Sequence, residues 1–487
     1  RQYLMLRGYL ALLTFAAAQT VLIENAEELS GTDEVRHLRG NVILRQDTIQ
    51  LLCSEADLYR DNTFYARGAV RTLIGQSGTI TAERLSYDPA TRRLTYEGQV
   101  TATFGTTILR TRRLTYDRLS ETASYTEGGS LTDTNGTIYS LHATYFIPTE
   151  ITTFTGNVRV DHPPYKAFTD SLTYHTDKAL AIFPRPFTLY NTSEPETLLA
   201  HGGQWERQAG RLTLHPQVEW RTPEIFLRAD YAFYDQQADT GFAACDVIYQ
   251  SRQGRGWGMA DSAFWHPDTL ILKENIAAFL FTERDTAFVQ SYTAFLIPPR
   301  LYLIGEATFL RPPLSATADT LLYDTLARSL FLLGHAWLYS HPYQLFAQAV
   351  HLTLHEDTPD SLFAAGSVHT ISEADSFLRF YQQVRSDSLM ARWDSALGAF
   401  SPVQYLHNLR AIYYQSEGPH YQGAHEILQA QSLFVRLGPN RQPIYLRLES
   451  RPQGRFIPVR DLLTNPLFLS SFRWRPPSSC PRWPIQP

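Results

Sequence analysis

Cysteine is nearly absent from this 487-residue chain, which carries only Cys53, Cys245 and Cys480. The three are far apart and lack metal-ligand spacing, so neither a disulfide framework nor a zinc site is indicated, and most of them are expected to be free, buried thiols. After the N-terminus no apolar run reaches the roughly 20 residues that a bilayer-spanning helix needs. Net charge is small, −5, without the basic excess of a general nucleic-acid binder, so no nucleic-acid partner is expected. There is no P-loop, G-x-S-x-G, H-E-x-x-H or Rossmann fingerprint, and no cofactor or resident metal is indicated. What is abundant is strand-forming material: 27 Tyr, 27 Phe and 8 Trp against 19% charged residues.

The first twenty residues, RQYLMLRGYLALLTFAAAQT, place Arg7 before an apolar run, Tyr9–Phe15, and three alanines. That order predicts a signal peptide over 1–18, with a buried first strand as the alternative.

So long a chain exceeds one ordinary core unless it repeats, and it does. An apolar–Tyr–Asp-like step recurs at Tyr59, Tyr87, Tyr116, Tyr145 and Tyr174, at intervals of 28, 29, 29 and 29. A second marker, Gly followed by a small or polar residue and often Val, recurs at Gly40, Gly68, Gly98, Gly128 and Gly156. Aromatic and apolar positions continue the period through Trp205, Tyr234, Trp265, Phe295, Tyr323 and Leu354, and Gly305, Gly334 and Gly366 recover the second marker. The stretches TDSLTYHTDKALAIF (169–183) and SDSLMARWDSALGAF (386–400) are two copies of one unit.

The local pattern decides between helical and β repeats. In RRLTYEGQVTATFG, Leu94 and Tyr96 share one parity, and Val100, Ala102 and Phe104 alternate with Gln99, Thr101 and Thr103. A period of two makes these half-buried strands, with Glu97-Gly98 expected as a turn between them. Only EADSFLRFYQQV (373–384) admits a helix, and a strand fits it equally. Each unit is expected to hold two to three strands and to form one rung of an elongated β stack, with rungs roughly 4.8 Å apart. The expected organisation is a first run of repeats over 22–190, the proline-bearing PRPFTLYNTSEPE, a second run over 200–400, and a β-rich tail of unassigned role over 401–487.

The units GNVILRQDTIQLLCSEADLYRDNTFYARGAV, TITAERLSYDPATRRLTYEGQV and GNVRVDHPPYKAFTDSLTYHTDKA closely resemble the OstA/LptA-like family, the organic-solvent-tolerance N-terminal domain. The resemblance is specific over about 35–190 and in phase to about 400, and GRFIPVRDL…SSFRWRP is similar to the closing element of longer members. It implies an all-β jellyroll, open along one side, in the periplasm and with association to the outer membrane. It also implies a non-enzymatic carrier with no cofactor. The implied partners are lipopolysaccharide, held by its lipid A acyl chains, and other Lpt-type envelope proteins stacked edge strand to edge strand, with self-association by the same route. Fewer than ninety residues follow position 400, too few for a large transmembrane barrel.

Alternation places Val42, Leu44, Val70, Leu85, Tyr87, Val100, Phe104, Leu114, Tyr116, Phe154, Val158, Leu172 and Tyr174 on the inner face. These residues either pack a closed core or line a trough; the resemblance implies the trough, as a lipid-binding groove. A closed solenoid that assembles envelope proteins through edge strands is the alternative function. Asp88 and Asp117 recur at one repeat position and admit an acidic catalytic ladder, but a turn cap explains them better. HEDTPD (355–360) collects oxygen and nitrogen ligands at a turn, and His351 with His355 falls on a strand and its turn. Arg92, Arg93, Arg110, Arg112 and Arg113 cluster where they either meet lipid phosphates or form a solvated face.

Overall fold

The computed structural model describes residues 21–76, 78–252, 256–281, 286–355 and 358–476. The expected signal peptide, Cys480 and the Glu356-Asp357 pair of HEDTPD lie outside them. Among the described residues the helices are one 3-10 turn, Ile147–Thr149, and one α-helical turn, Val459–Leu462; the protein is all-β. The chain divides into two compact units between Leu214 and His215.

In the first unit the long strands from Val35 to Asp117 each pair antiparallel with the next. Val35–Gln46 pairs with Ile49–Tyr59, then follow Phe64–Ile74, Gly78–Asp88, Arg93–Phe104 and Thr107–Asp117. Every one of these pairings breaks register at mid-strand, as between Arg39 and Val42 or between Glu97 and Val100. At these breaks two successive residues are left-handed: Gly40 and Asn41 (φ 73° and 45°), Gly98 and Gln99 (79° and 39°), Gly156 and Asn157 (78° and 50°). The expected turn at Glu97-Gly98 is therefore a bulge inside one strand. A bulge bends its strand, so the residues before and after it belong to different layers. Glycine is needed there for φ and for space, since a Cβ on Gly98 would lie 2.4 Å from a Glu83 carboxylate oxygen.

The layers share a seam of bulges and face each other across an apolar interior. Each repeat therefore holds two strands, and it advances the stack by about two strand spacings, roughly 9.6 Å, rather than by one rung. The hairpin turns are capped as a period-two reading expects. Asp88 accepts hydrogen bonds from the Ala90 N–H (2.9 Å) and the Thr91 hydroxyl (2.7 Å). Asp117 accepts from the Leu119 and Ser120 N–H groups (3.0 and 3.3 Å).

The second unit repeats the plan, keeping glycine at the Gly305-Glu306, Gly334-His335 and Gly366-Ser367 bends and losing it at others. Cys245-Asp246 (φ 64° and 54°), Glu274-Asn275 (62° and 51°) and His407-Asn408 (64° and 49°) adopt the same paired left-handed geometry without glycine. Its strands lengthen toward the C-terminus: Thr358–Asp375 and His420–Leu437 have 18 residues each and Ala399–Glu417 has 19. That lengthening dissolves the 29-residue period after about 401, although the meander continues. EADSFLRFYQQV is the end of one strand, a turn, and the start of Phe380–Asp394. Pro443–Glu449 pairs with one half of His420–Leu437 and Gln453–Pro458 with the other, which completes both layers.

Candidate functional site

All thirteen residues expected on the inner face lie in the first unit and are at most 5% exposed. Val42, Leu44, Val70, Val100, Phe104 and Val158 follow the bend in their strands, and the others come from the facing layer. Phe104 meets Tyr145 of that layer with ring centroids 5.3 Å apart. The side opposite the seam is clasped shut. Arg118, in a turn of one layer, donates to Gln46 (2.6 Å) and Asp47 (3.1 Å) in a turn of the other. Further along, Arg207 donates to the Asn135 carbonyl and the Tyr174 hydroxyl to Asp133. These residues are brought together as buried inner walls.

Open space of a defined kind occurs in the second unit. Between its layers is a cavity of about 340 Å³, within the range of roughly 300–1,000 Å³ typical of small-ligand sites. Leu362, Leu389, Ala391, Tyr405 and Leu433 contribute one wall, and Leu345, Val384, Ala411, Ile412 and Ile427 the other. Alternation of the same kind leaves a void here, and alanines such as Ala391, Ala399 and Ala411 stand on its walls. The cavity reaches the last strands, where Leu446 is 41% exposed.

Polar groups are confined to the margins. The Gln382 side chain is held by the Tyr414 backbone, donating to its carbonyl (3.0 Å) and accepting from its N–H (2.7 Å). Burial pushes the Tyr405 phenol up to about 12 and raises Tyr343 as well, so both stay neutral. Opposite the seam, Arg441 bridges three turns: its guanidinium donates to the Leu397 (3.0 Å) and His341 (2.8 Å) carbonyls, and its own carbonyl accepts from the Tyr343 hydroxyl at 2.5 Å. An apolar, roofed chamber of this sort can hold a hydrocarbon chain.

The outer face of the same layer carries the C-terminal strap, residues 463–476. Two fully buried glutamines receive it as a neighbouring strand would. Gln383 donates to the Leu467 carbonyl (3.1 Å) and accepts from the Leu469 N–H (2.9 Å). Gln344 bonds the N–H and carbonyl of Arg475 (3.2 and 2.5 Å). The Arg475 guanidinium lies 4.9 Å over Trp337. SSFRWRP is thus a closing element for one sheet face.

The remaining candidates separate. Among the basic cluster, Arg93, Arg110, Arg112 and Arg113 are exposed, with Arg93 paired to Asp117 (3.0 Å) and Arg113 near Glu97 (3.7 Å). His351 stacks flat on Phe331, centroids 4.0 Å apart, on the outer face. Among the described residues no three His, Cys, Asp or Glu side chains gather as a metal site. No helix among them is long and apolar enough to cross a membrane.

These features define a class: an all-β folded meander with a clasped, apolar interior. Residues 18–170 match the OstA-like protein family, so about the N-terminal third of the chain is OstA-like. No curated protein matches the chain. Among solved structures, LptH, the LptA homologous periplasmic component of the conserved lipopolysaccharide transport device from Pseudomonas aeruginosa, is 16% identical, covering 21% of this chain and 76% of that one. Its TM-score is 0.20, a likeness too slight to argue from. The sequence reading missed the cavity; its only trace was the run of small residues Ala391, Ala399 and Ala411 on inner positions.

Proposed function

We propose that this protein is a non-catalytic, periplasmic carrier that binds lipopolysaccharide through its acyl chains during transport to the outer membrane. The observation that carries the reading is the apolar chamber between the layers of the second unit, joined in one chain to an OstA-like region. Each methylene moved from water into such a chamber contributes about 0.8 kcal/mol, so a ten-carbon stretch contributes up to about 8 kcal/mol before ordering costs. The Arg441 clasp closes the long side of the chamber, and the exposed terminal strands leave an approach from its end. Other envelope proteins of the same fold would meet those terminal edge strands, Pro443–Glu449 and Gln453–Pro458, which among the described residues each pair on one side only.

The packed first unit favours a second reading for that part alone. Its thirteen inner residues are sealed, as a closed scaffold that presents edge strands would require. Photo-crosslinking separates the two. A benzophenone residue at Leu389 or Tyr405 is expected to capture lipopolysaccharide in cells, and one at Tyr87 or Phe104 to capture it only if the first unit opens. No adduct at any of the four positions would refute the carrier.

A further inference from the structure

The polar groups at the margin of the chamber form one row. Ser340 pairs with Tyr343, Tyr343 with Ser372 and Ser372 with Gln382. Gln382 stands opposite Tyr413, one place beyond the pair Gln383–Ile412, and Tyr413 pairs with His425. All six border the chamber, so the row crosses six successive strands of a single layer. At about 4.8 Å per strand it runs for roughly 24 Å along one long side of the space. The next row toward the seam is apolar except at Thr370, which stands between Leu345 and Val384.

Some of these groups are engaged within the protein. Tyr343 donates to the Arg441 carbonyl, Gln382 is held at both ends by the Tyr414 backbone, and His425 bonds Gln415 at 2.8 Å. Thr370 is not: its hydroxyl oxygen is buried and makes no hydrogen bond. Tyr405 approaches it from the facing layer without the geometry of a hydrogen bond. Ser372 lies two places along the strand, so alternation puts it on the same face.

The first unit separates what the fold requires from what the chamber adds. Leu51 pairs with Thr72 as Leu345 pairs with Thr370, and Tyr96 approaches Thr72 as Tyr405 approaches Thr370. The threonine–tyrosine contact therefore belongs to the repeat, and in the first unit both partners are 0% exposed. One place nearer the turn edge the units differ. There Ile49 pairs with Ile74, where the second unit pairs Tyr343 with Ser372. The second unit thus opens a cavity beside the shared contact and replaces the adjoining aliphatic pair by hydroxyls.

We propose that the chamber selects an acyl chain that carries a hydroxyl group, received by Thr370, Ser372 and Tyr405, over the unsubstituted chain. This rests on the carrier reading of the same chamber and names the kind of chain it takes. A plain hydrocarbon lying against this wall covers the hydroxyls and leaves them without partners, which costs free energy. A hydroxyl on the chain donates to one of these oxygens and accepts from another. A few placed polar groups in an otherwise apolar pocket set specificity in this way.

The test is displacement of a fluorescent fatty acid from the full chain by tetradecanoic acid and by its derivatives with a hydroxyl at the third or the twelfth carbon. The carboxylate is common to all three, so it cancels from the comparison. At least one hydroxylated acid is expected to bind about tenfold more tightly than the parent. Thr370→Val/Ser372→Ala, which keeps the wall's shape, should abolish that preference, bind the parent at least as well and leave the thermal midpoint within a few degrees. Equal affinity for all three acids in the unaltered chain, or a preference that survives the double variant, overturns the proposal while the carrier stands. If the probe itself does not bind, the carrier reading fails and this inference with it. A glycerophospholipid bearing the preferred hydroxyacyl chain distinguishes the source: competition assigns the chain of a larger lipid, its failure a free acid, and either result keeps the selectivity.

Discussion

Filling the chamber should separate ligand binding from stability. Ala391 and Ala411 lie on opposite walls of the cavity and are 6% and 3% exposed. Ala391→Leu together with Ala411→Leu sends six extra carbon atoms into space that is now empty. An acyl chain excluded from that space forfeits about 0.8 kcal/mol per methylene, about 5 kcal/mol in all, more than a thousandfold in affinity. The folded protein should move the opposite way. New methyl groups in a void restore contacts that its walls lack, so stability should rise by about 1–3 kcal/mol instead of falling through overcrowding. The assay pairs equilibrium binding of a fluorescent acyl ligand with urea unfolding of the same preparations. Unchanged affinity in a stabilised double variant would refute the reasoning, because it would mean that the chain binds elsewhere.

Three further outcomes follow from other parts of the molecule. Gly98→Val should lower stability by about 1–3 kcal/mol in urea unfolding, since it forces a β-branched residue into φ 79° and toward Glu83. Gln383→Met removes both hydrogen bonds to the strap and should expose residues 463–476 to limited proteolysis while the meander stays folded, checked by cleavage mapping. Burial, with Arg385 nearby, lowers His369 to about 4. The unfolded chain therefore binds more protons than the folded one between that value and the ordinary histidine value of about 6.5, and stability should fall as pH drops through this window. His369→Gln should flatten that limb of a thermal-midpoint profile; an unaltered profile would exclude His369 as its cause.

The sequence was most informative where one residue type can do a job. Gly followed by a small or polar residue recurs because the bend needs two left-handed residues and close approach to the next strand. The motif was visible, but its meaning was not, since a glycine in a turn and a glycine in a bulge look alike in a one-dimensional pattern. Where Cys245-Asp246 or Glu274-Asn275 makes the same bend, the marker vanishes from the sequence while the geometry persists. Asp88 and Asp117 were legible as turn caps because that role is local. The chamber was not legible: its walls come from strands as far apart as Leu338 and Leu448, and a wall residue alternates just as a core residue does.

What the sequence determined by itself was periodicity: strands of alternating polarity, repeated often enough to give an all-β stack with an apolar inside. Alternation is a property of neighbours along the chain, so neighbours suffice to read it. What the tertiary structure decided was volume and closure. The copied stretches 169–183 and 386–400 show the limit, because they begin alike and sit in strands bent alike. Yet Leu172 is fully buried in the first unit, whereas Leu389, almost as buried, borders a cavity in the second. The difference depends on what the facing layer, dozens of residues away, sets opposite each of them.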